Sequence, residues 1–207
     1  MDRSQRATIA VSEVHATIIG MAKILGISGA LRQGSTNASL LRAAAASGPA
    51  GTTIEMASIH GIPLYDGDIE ANDGIPDAVR ALKDQIAAAD GLLLVTPEYN
   101  NSIPGVFKNA IDWCSRPPAD VSRVFKNRPV AIMGTSPGRF GTLLSQTAWL
   151  QVVRTLGMRP WYGSPLYIGD NRKVFDASGE IVDAAIRGRV TQFVHGFAEF
   201  VESSRGK

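Results

Sequence analysis

The chain has 207 residues, of which 44% are hydrophobic, and its formal net charge is +2 at pH 7. This length suits one domain with a substantial core, and the small net charge gives no argument for binding to nucleic acid or an anionic membrane surface. Cys114 is the only cysteine, which excludes a disulfide within the chain and favours a reducing, cytoplasmic compartment. No apolar run approaches the roughly 18 residues of a membrane-spanning helix, so we predict no membrane partner.

Residues 1–20 are predicted to be a loosely ordered extension. Two arginines precede a short apolar stretch, which is weakly similar to a secretory signal, but Glu13 and His15 interrupt that stretch early. Met21 leads directly into the first apolar run and looks like a natural start. We therefore expect one domain over residues 21–207.

Four short apolar runs predict buried strands, and a fifth, weaker run follows them. Because these runs are nearly continuous instead of alternating, they indicate a parallel sheet that is covered on both faces. The four clear strands are predicted over 23–28, 53–57, 91–96 and 129–134, and the fifth lies around 161–168.

Helical patterns separate these strands. Pro76 followed by an acidic residue is a helix-start signal, and apolar residues recur at four-residue spacing from Leu144 to Leu156. A last helix is predicted over about 182–201. The alternation predicts an α/β fold with a doubly wound, five-stranded parallel sheet of order 2-1-3-4-5 and helices on both faces. Ligands bind such sheets at the carboxyl ends of the strands, so the loops after strands one, three and four are the candidate site.

The loop after the first strand is typical of a phosphate site. It carries two glycines, several small polar residues and Arg32, so backbone N–H groups, hydroxyls and a guanidinium can converge on one anion. Gly29 and Gly34 have the spacing of a P-loop, but Ser35 stands where that motif needs lysine. A single phosphate monoester therefore fits better than a triphosphate. The alternative is a tight turn that binds nothing.

The loops after the third and fourth strands are weaker candidates, since each could also be satisfied as a turn. Residues 97–105 are rich in amide, aromatic and hydroxyl groups, which can bind the edge and face of a heterocycle. Residues 135–141 form a second loop of small residues.

The remaining candidate residues give no further site. The histidines match no metal-ligand spacing, so we predict no metal site, and Cys114 is expected to be a buried hydrophobe. Asp66 and Asp68 are expected to be solvated loop carboxylates or part of a subunit contact.

Two of these segments resemble the NADPH-dependent FMN reductase family, a flavodoxin-like family that includes quinone, chromate and azo-dye reductases. The resemblance is carried by residues 30–37, Ala-Leu-Arg-Gln-Gly-Ser-Thr-Asn, and by residues 97–113, which begin Pro-Glu-Tyr-Asn-Asn-Ser-Ile-Pro-Gly. The second segment is long enough to be highly specific, and the similarity extends from about residue 21 to about residue 200. The resemblance implies a flavodoxin-like fold, one bound FMN, and NADPH or NADH as co-substrate.

The resemblance also implies which residues contact FMN. Relatives commonly have serine where this chain has Ala30, so one hydroxyl donor is absent here, while Ser28 and backbone N–H groups remain. The predicted cofactor-binding residues are Ser28, Ala30, Leu31, Arg32, Ser35, Thr36 and Asn37 in the phosphate loop, Pro97, Glu98, Tyr99 and Asn100 along the isoalloxazine ring, and Ser136 and Gly138 on its far side.

The activity that the resemblance implies is transfer of hydride from NAD(P)H through bound FMN to a quinone, azo compound, flavin or metal oxyanion, with ping-pong kinetics. The cofactor supplies the difficult chemistry, so we predict no catalytic side chain and expect Glu98 to position the backbone. A homodimer or homotetramer is also implied. Two alternatives stay open: a flavodoxin-type electron carrier, which would tend to be more acidic than this chain, and a non-redox binding module on the same fold.

Overall fold

A parallel sheet forms the centre of the computed structural model, which describes residues 21–205. Its strand order is β2-β1-β3-β4-β5, and β6 pairs with β4, which confirms the predicted doubly wound order. The predicted extension over residues 1–20 lies outside the described residues. The strands are β1 (Ala22–Ser28), β2 (Thr52–Ala57), β3 (Gly91–Val95), β4 (Pro129–Thr135), β5 (Arg159–Pro160) and β6 (Tyr167–Ile168).

Helices cover both faces of the sheet. Within residues 21–205, no helix is both long and apolar enough to cross a membrane. The longer helices are α1 (Thr36–Ala46), α3 (Asp77–Ala88), α4 (Gly105–Cys114), α6 (Leu143–Thr155) and α8 (Ala184–Glu202). The shorter ones are α2 (Gly67–Asp73), α5 (Val121–Val124) and α7 (Asn171–Val174), with a 3₁₀ turn at Pro118–Asp120.

The core has one part on each face of the sheet. Under α1 and α8 it contains Phe193 and Phe197, and under α3, α4 and α6 it contains Trp113 and Trp149. Cys114 is fully buried in the second part, where burial raises the pKa of its thiol to about 12. The thiol therefore stays protonated and packs as a small hydrophobe, as predicted.

The fifth strand differs from the predicted one. Instead of one strand over 161–168, the chain pairs with the start of β4 at β5, arches away, and pairs with the end of β4 at β6. Pro165 lies in the arch and has no N–H group to donate to a ladder, while Trp161 packs edge-on against Phe193 with ring centroids 5.0 Å apart. The arch borders a cavity of about 250 Å³ that none of the predicted cofactor-binding residues lines.

The segment after β2 is tied to α4 by its backbone. The Pro63 carbonyl accepts hydrogen bonds from the Asn109 side-chain amide at 2.8 Å and from the Trp113 indole at 2.9 Å. Asp66, expected to be a solvated carboxylate or a subunit contact, caps α2 by accepting the Asp68 N–H at 2.9 Å.

Candidate active site

The loops after β1, β3 and β4 open onto one cavity at the carboxyl edge of the sheet. Its volume is about 520 Å³, which lies in the usual range for sites that hold a small molecule or cofactor. The predicted residues that line it are Ala30, Arg32, Ser35, Thr36, Asn37, Pro97, Glu98, Tyr99 and Ser136.

Four predicted residues do not line this cavity. Ser28 lines a neighbouring cavity of about 200 Å³ together with His60. The Leu31 carbonyl contacts Nε2 of the same imidazole at 3.0 Å. Asn100 lies in a backbone turn with φ of 49°, and the Gly138 carbonyl accepts the backbone N–H groups that close the loop after β4.

The shape of the phosphate loop, which runs from Ser28 to Asn37, depends on two glycines and a helix cap. A Cβ atom at Gly29 would lie 2.1 Å from the Phe107 ring, so glycine allows α4 to pack closely there. Gly34 has φ of 68°, in the left-handed region. Ser35 caps α1, since its Oγ accepts the Asn37 N–H at 3.2 Å. Ser35, Thr36 and Asn37 line the cavity, so the start of α1, where helical N–H groups lack partners within the helix, lies at the cavity wall.

Arg32 contributes a positive charge to this loop. The residue is exposed and lines the cavity, and within residues 21–205 its guanidinium makes no hydrogen bond or ion pair. A guanidinium presents several N–H donors in a planar fork that matches a phosphate. Because no described residue bonds to this guanidinium, all of its N–H donors are available to a ligand.

Asn37 joins α1 to the end of β4. Its side-chain NH₂ donates to the Thr135 carbonyl at 2.8 Å, and its Oδ1 accepts the Thr135 N–H at 2.9 Å. These bonds brace the loop after β1 against β4, and they use one of the two N–H donors of the amide. Thr135 lines the cavity, and its buried hydroxyl has no partner within the described residues. A ligand that reached this hydroxyl would satisfy it.

Glu98 is held against the start of α6. One carboxylate oxygen accepts the N–H groups of Leu144 at 2.9 Å and Ser145 at 3.0 Å. A carboxylate at this end of a helix is stabilised by the unpaired N–H groups and the helix dipole. The contacts confirm that Glu98 positions the backbone, because they fix the loop after β3 relative to α6.

Tyr99 precedes a tight two-residue turn. Its backbone N–H and carbonyl pair with Ser102 at 3.1 and 3.0 Å, and the intervening Asn100 and Asn101 have φ of 49° and 60°. Asparagine is one of the few residue types that adopts this conformation readily. The turn therefore accounts for Asn100, and it presents the half-exposed Tyr99 side chain at the cavity.

A further wall of the cavity comes from the segment after β6, which sequence reasoning missed. The Asn171 side chain donates to Thr36 Oγ1 at 3.0 Å, and its backbone N–H donates to the Ser136 carbonyl at 3.3 Å. Its position in the sequence could have indicated this contribution, because the segment follows a parallel strand and therefore begins at the same edge of the sheet. The lining residues that this segment contributes are Asn171, Arg172, Phe175 and Asp176. Gly34, Thr135 and Pro137 also line the cavity; they lie in loops that were predicted as candidates, but they were not named as FMN contacts.

Comparisons with known proteins identify the family. The sequence model for NADPH-dependent FMN reductase matches residues 22–169. The chain belongs to the NADPH-dependent FMN reductase family. An NAD(P)H-dependent FMN reductase of Pseudomonas aeruginosa is 44% identical over 89% of this chain and 97% of its own. A 2-hydroxy-1,4-benzoquinone reductase from Burkholderia is 39% identical over 88% of this chain and 98% of its own.

A solved structure agrees with this assignment. The NAD(P)H:(acceptor) oxidoreductase FerB of Paracoccus denitrificans, a flavoenzyme, superimposes with a TM-score of 0.79 and 31% identity, covering 88% of this chain and 98% of its own. As a member of the NADPH-dependent FMN reductase family, the protein is an FMN-dependent oxidoreductase that uses NAD(P)H and acts on small-molecule acceptors. This confirms the predicted class of activity and disfavours both the electron carrier and the non-redox module.

Proposed function

We propose that this FMN reductase binds one FMN in the 520 Å³ cavity and reduces quinones, with azo compounds, free flavin or metal oxyanions as further acceptors. The observation that carries the proposal is one cavity that combines a free guanidinium, the N–H groups at the start of α1 and a loop of amide and aromatic groups. The relative named as a benzoquinone reductase supports the choice of acceptor.

The residues present fit FMN. Arg32 and the first turn of α1 would hold the phosphate, and the unpaired Thr135 hydroxyl offers a further polar contact inside the cavity. Pro97, Glu98 and Tyr99 would lie along the ring. FMN, when bound, supplies hydride acceptance from NAD(P)H and electron transfer to the acceptor.

The protein's own contribution is binding and orientation. Among the described cavity-lining residues, the carboxylates are Glu98 and Asp176, and both accept backbone N–H groups. These bonds hold both carboxylates in place, and hydride transfer to a flavin needs no side-chain proton donor, so we assign no catalytic acid or base.

Flavin analysis with an activity assay tests the proposal. Protein reconstituted with flavin and then denatured should release FMN at close to one molecule per chain. NADPH should bleach the yellow protein without a partner protein, and a quinone should restore the colour. Release of FAD, or failure to retain flavin, would contradict the proposal, whereas bleaching that needs a protein partner would favour the electron carrier.

We further propose that the protein is a cytoplasmic homodimer or homotetramer. Large apolar side chains are unusually exposed, with Leu64 at 77%, Phe140 at 76% and Tyr162 at 70%, and exposed apolar groups are typical of association surfaces. The reduced, buried Cys114 and the use of NAD(P)H support the location. Analytical ultracentrifugation measures the assembly, and a monomer at micromolar concentration would contradict it.

A further inference from the structure

The segment after β6, residues 170–181, covers the phosphate-loop end of the cavity and lies just beyond the region matched by the family model. Asn171 anchors it to Thr36 at the start of α1. Further along, a Cβ atom on Gly179 would lie 2.4 Å from Ser39 Oγ, so the segment also packs directly against α1. Its side chains are therefore close to the group that the phosphate loop binds.

Arg172 is the exposed cation of this segment that lines the cavity. Within residues 21–205 its guanidinium makes no hydrogen bond or ion pair. Asp170, two residues earlier, is exposed and does not line the cavity. Asp176, four residues later, does line it, but one of its oxygens accepts the Ser178 hydroxyl at 2.7 Å and the Glu180 N–H at 2.9 Å. Within the described residues Arg172 therefore has no acidic partner, and the carboxylate of Asp176 is held by the turn that follows it.

The charges around the cavity favour a dianion at this end. Arg32 and Arg172 bring two guanidiniums that have no partner in the described part of the chain, one from the loop after β1 and the other from the segment after β6. The cavity's carboxylates, on Glu98 and Asp176, are both held by N–H donors. A phosphate monoester carries close to two negative charges at neutral pH, so two arginines match it better than one.

We propose that Arg172 acts with Arg32 as a two-arginine clamp on the flavin phosphate, which makes the cavity selective for FMN over riboflavin. The inference rests on the proposed binding of FMN in this cavity. It adds a binding residue from outside the family motif and assigns that residue to the phosphate instead of the ring or the nicotinamide co-substrate.

Flavin titrations of Arg172→Ala and Lys173→Ala test the clamp. Lys173 is adjacent, equally exposed and of the same charge, but it does not line the cavity, so its variant controls for net charge and for the short α7 helix. In Arg172→Ala we expect the Kd for FMN to rise roughly tenfold to a hundredfold, as for loss of a charged hydrogen bond. The Kd for riboflavin should not change, and Lys173→Ala should leave both values unchanged.

Other outcomes separate the possible failures. Equal weakening of FMN and riboflavin would show a structural role for Arg172, and an unchanged FMN Kd with a raised KM for NADPH would assign it to the co-substrate; either overturns the clamp. Riboflavin binding also reports whether Arg172→Ala keeps an intact site, and Arg172→Lys should retain part of the FMN affinity because it keeps the charge. If the unmodified protein binds neither flavin, the proposed function itself fails, and the clamp fails with it.

Discussion

At the scale of single residues, Arg32 tests whether the cavity binds a phosphate at all. Its guanidinium has no protein partner within the described residues, so removing it should cost ligand affinity without destabilising the fold. A hydrogen bond to a charged group contributes about 1.5–3 kcal/mol, so Arg32→Ala should raise the Kd for FMN roughly tenfold to a hundredfold. Fluorescence titration measures the Kd.

Arg154 provides the matched control for that substitution. It is exposed on α6 and does not line the cavity, so Arg154→Ala should leave FMN binding unchanged. Thermal unfolding of both variants should match that of the unmodified protein. An unaltered Kd in Arg32→Ala would remove this residue from the proposed site.

The sequence indicated which loops carry polar side chains, but it did not indicate which groups those side chains bond to. Asn37 and Asn100 were expected to contact FMN. The structure adds that Asn37 bonds to Thr135, 98 residues away, and that Asn100 lies in a tight backbone turn. Local patterns indicate that a loop is polar, but they carry no information about which distant backbone groups the fold brings next to it.

At the scale of elements, buried strands and long helices followed from the sequence because their apolar periodicity spans several turns or a whole strand. The predicted strands β1 to β4 agree with the observed ones to within about one residue at each end. The short helices α2, α5 and α7 were missed, since four to seven residues are too few to show a helical period. The division of the fifth strand into β5 and β6 was missed because it depends on where the chain pairs with β4, which lies at a distance in sequence.

The link between α3 and the 3₁₀ turn gives a pH-dependent prediction at this scale. The Lys83 side chain is only 5% exposed, and its ammonium pairs with Asp120 at 2.7 Å, while Arg123 pairs with the same carboxylate. These cations, Arg123 first and then Lys83, hold the pKa of Asp120 well below its ordinary value. The charged form of Asp120 therefore stabilises the folded state.

The sign of the pH dependence follows from this lowered pKa. The stabilisation is complete above about pH 4, the ordinary pKa of aspartate, and is lost as the pH falls from there towards the lower pKa of the folded state. Asp120→Asn should reduce the free energy of unfolding at pH 7 by a few kcal/mol, since it leaves a buried ammonium without its counter-charge (about 3–5 kcal/mol for a fully buried pair). Urea denaturation at pH 7 and pH 3 should show a smaller loss on acidification in the variant; an equal loss would contradict the assignment.

At the scale of the whole molecule, one cavity collects the loops from three strands, and this predicts the kinetic pattern. Nicotinamide and acceptor would have to use the same opening beside Tyr99, so they cannot both be bound. We expect ping-pong kinetics, with parallel double-reciprocal lines when NADPH and a quinone are varied. Intersecting lines in initial-rate measurements would mean that both substrates bind together, and the acceptor would then need a separate site.

The sheet topology supports a second prediction at this scale, that residues 1–20 are dispensable. β1 begins at Ala22 and is already paired on both sides, with β2 and with β3, so the sheet needs no further strand next to it. A chain that starts at Met21 should keep the FMN content, the thermal midpoint and the NADPH-dependent rate of the full chain. Apolar residues such as Ile9 and Val11 oppose this expectation, because they could bury surface between subunits. A lower midpoint, or a smaller assembly by size-exclusion chromatography, would show that the extension contributes to the structure.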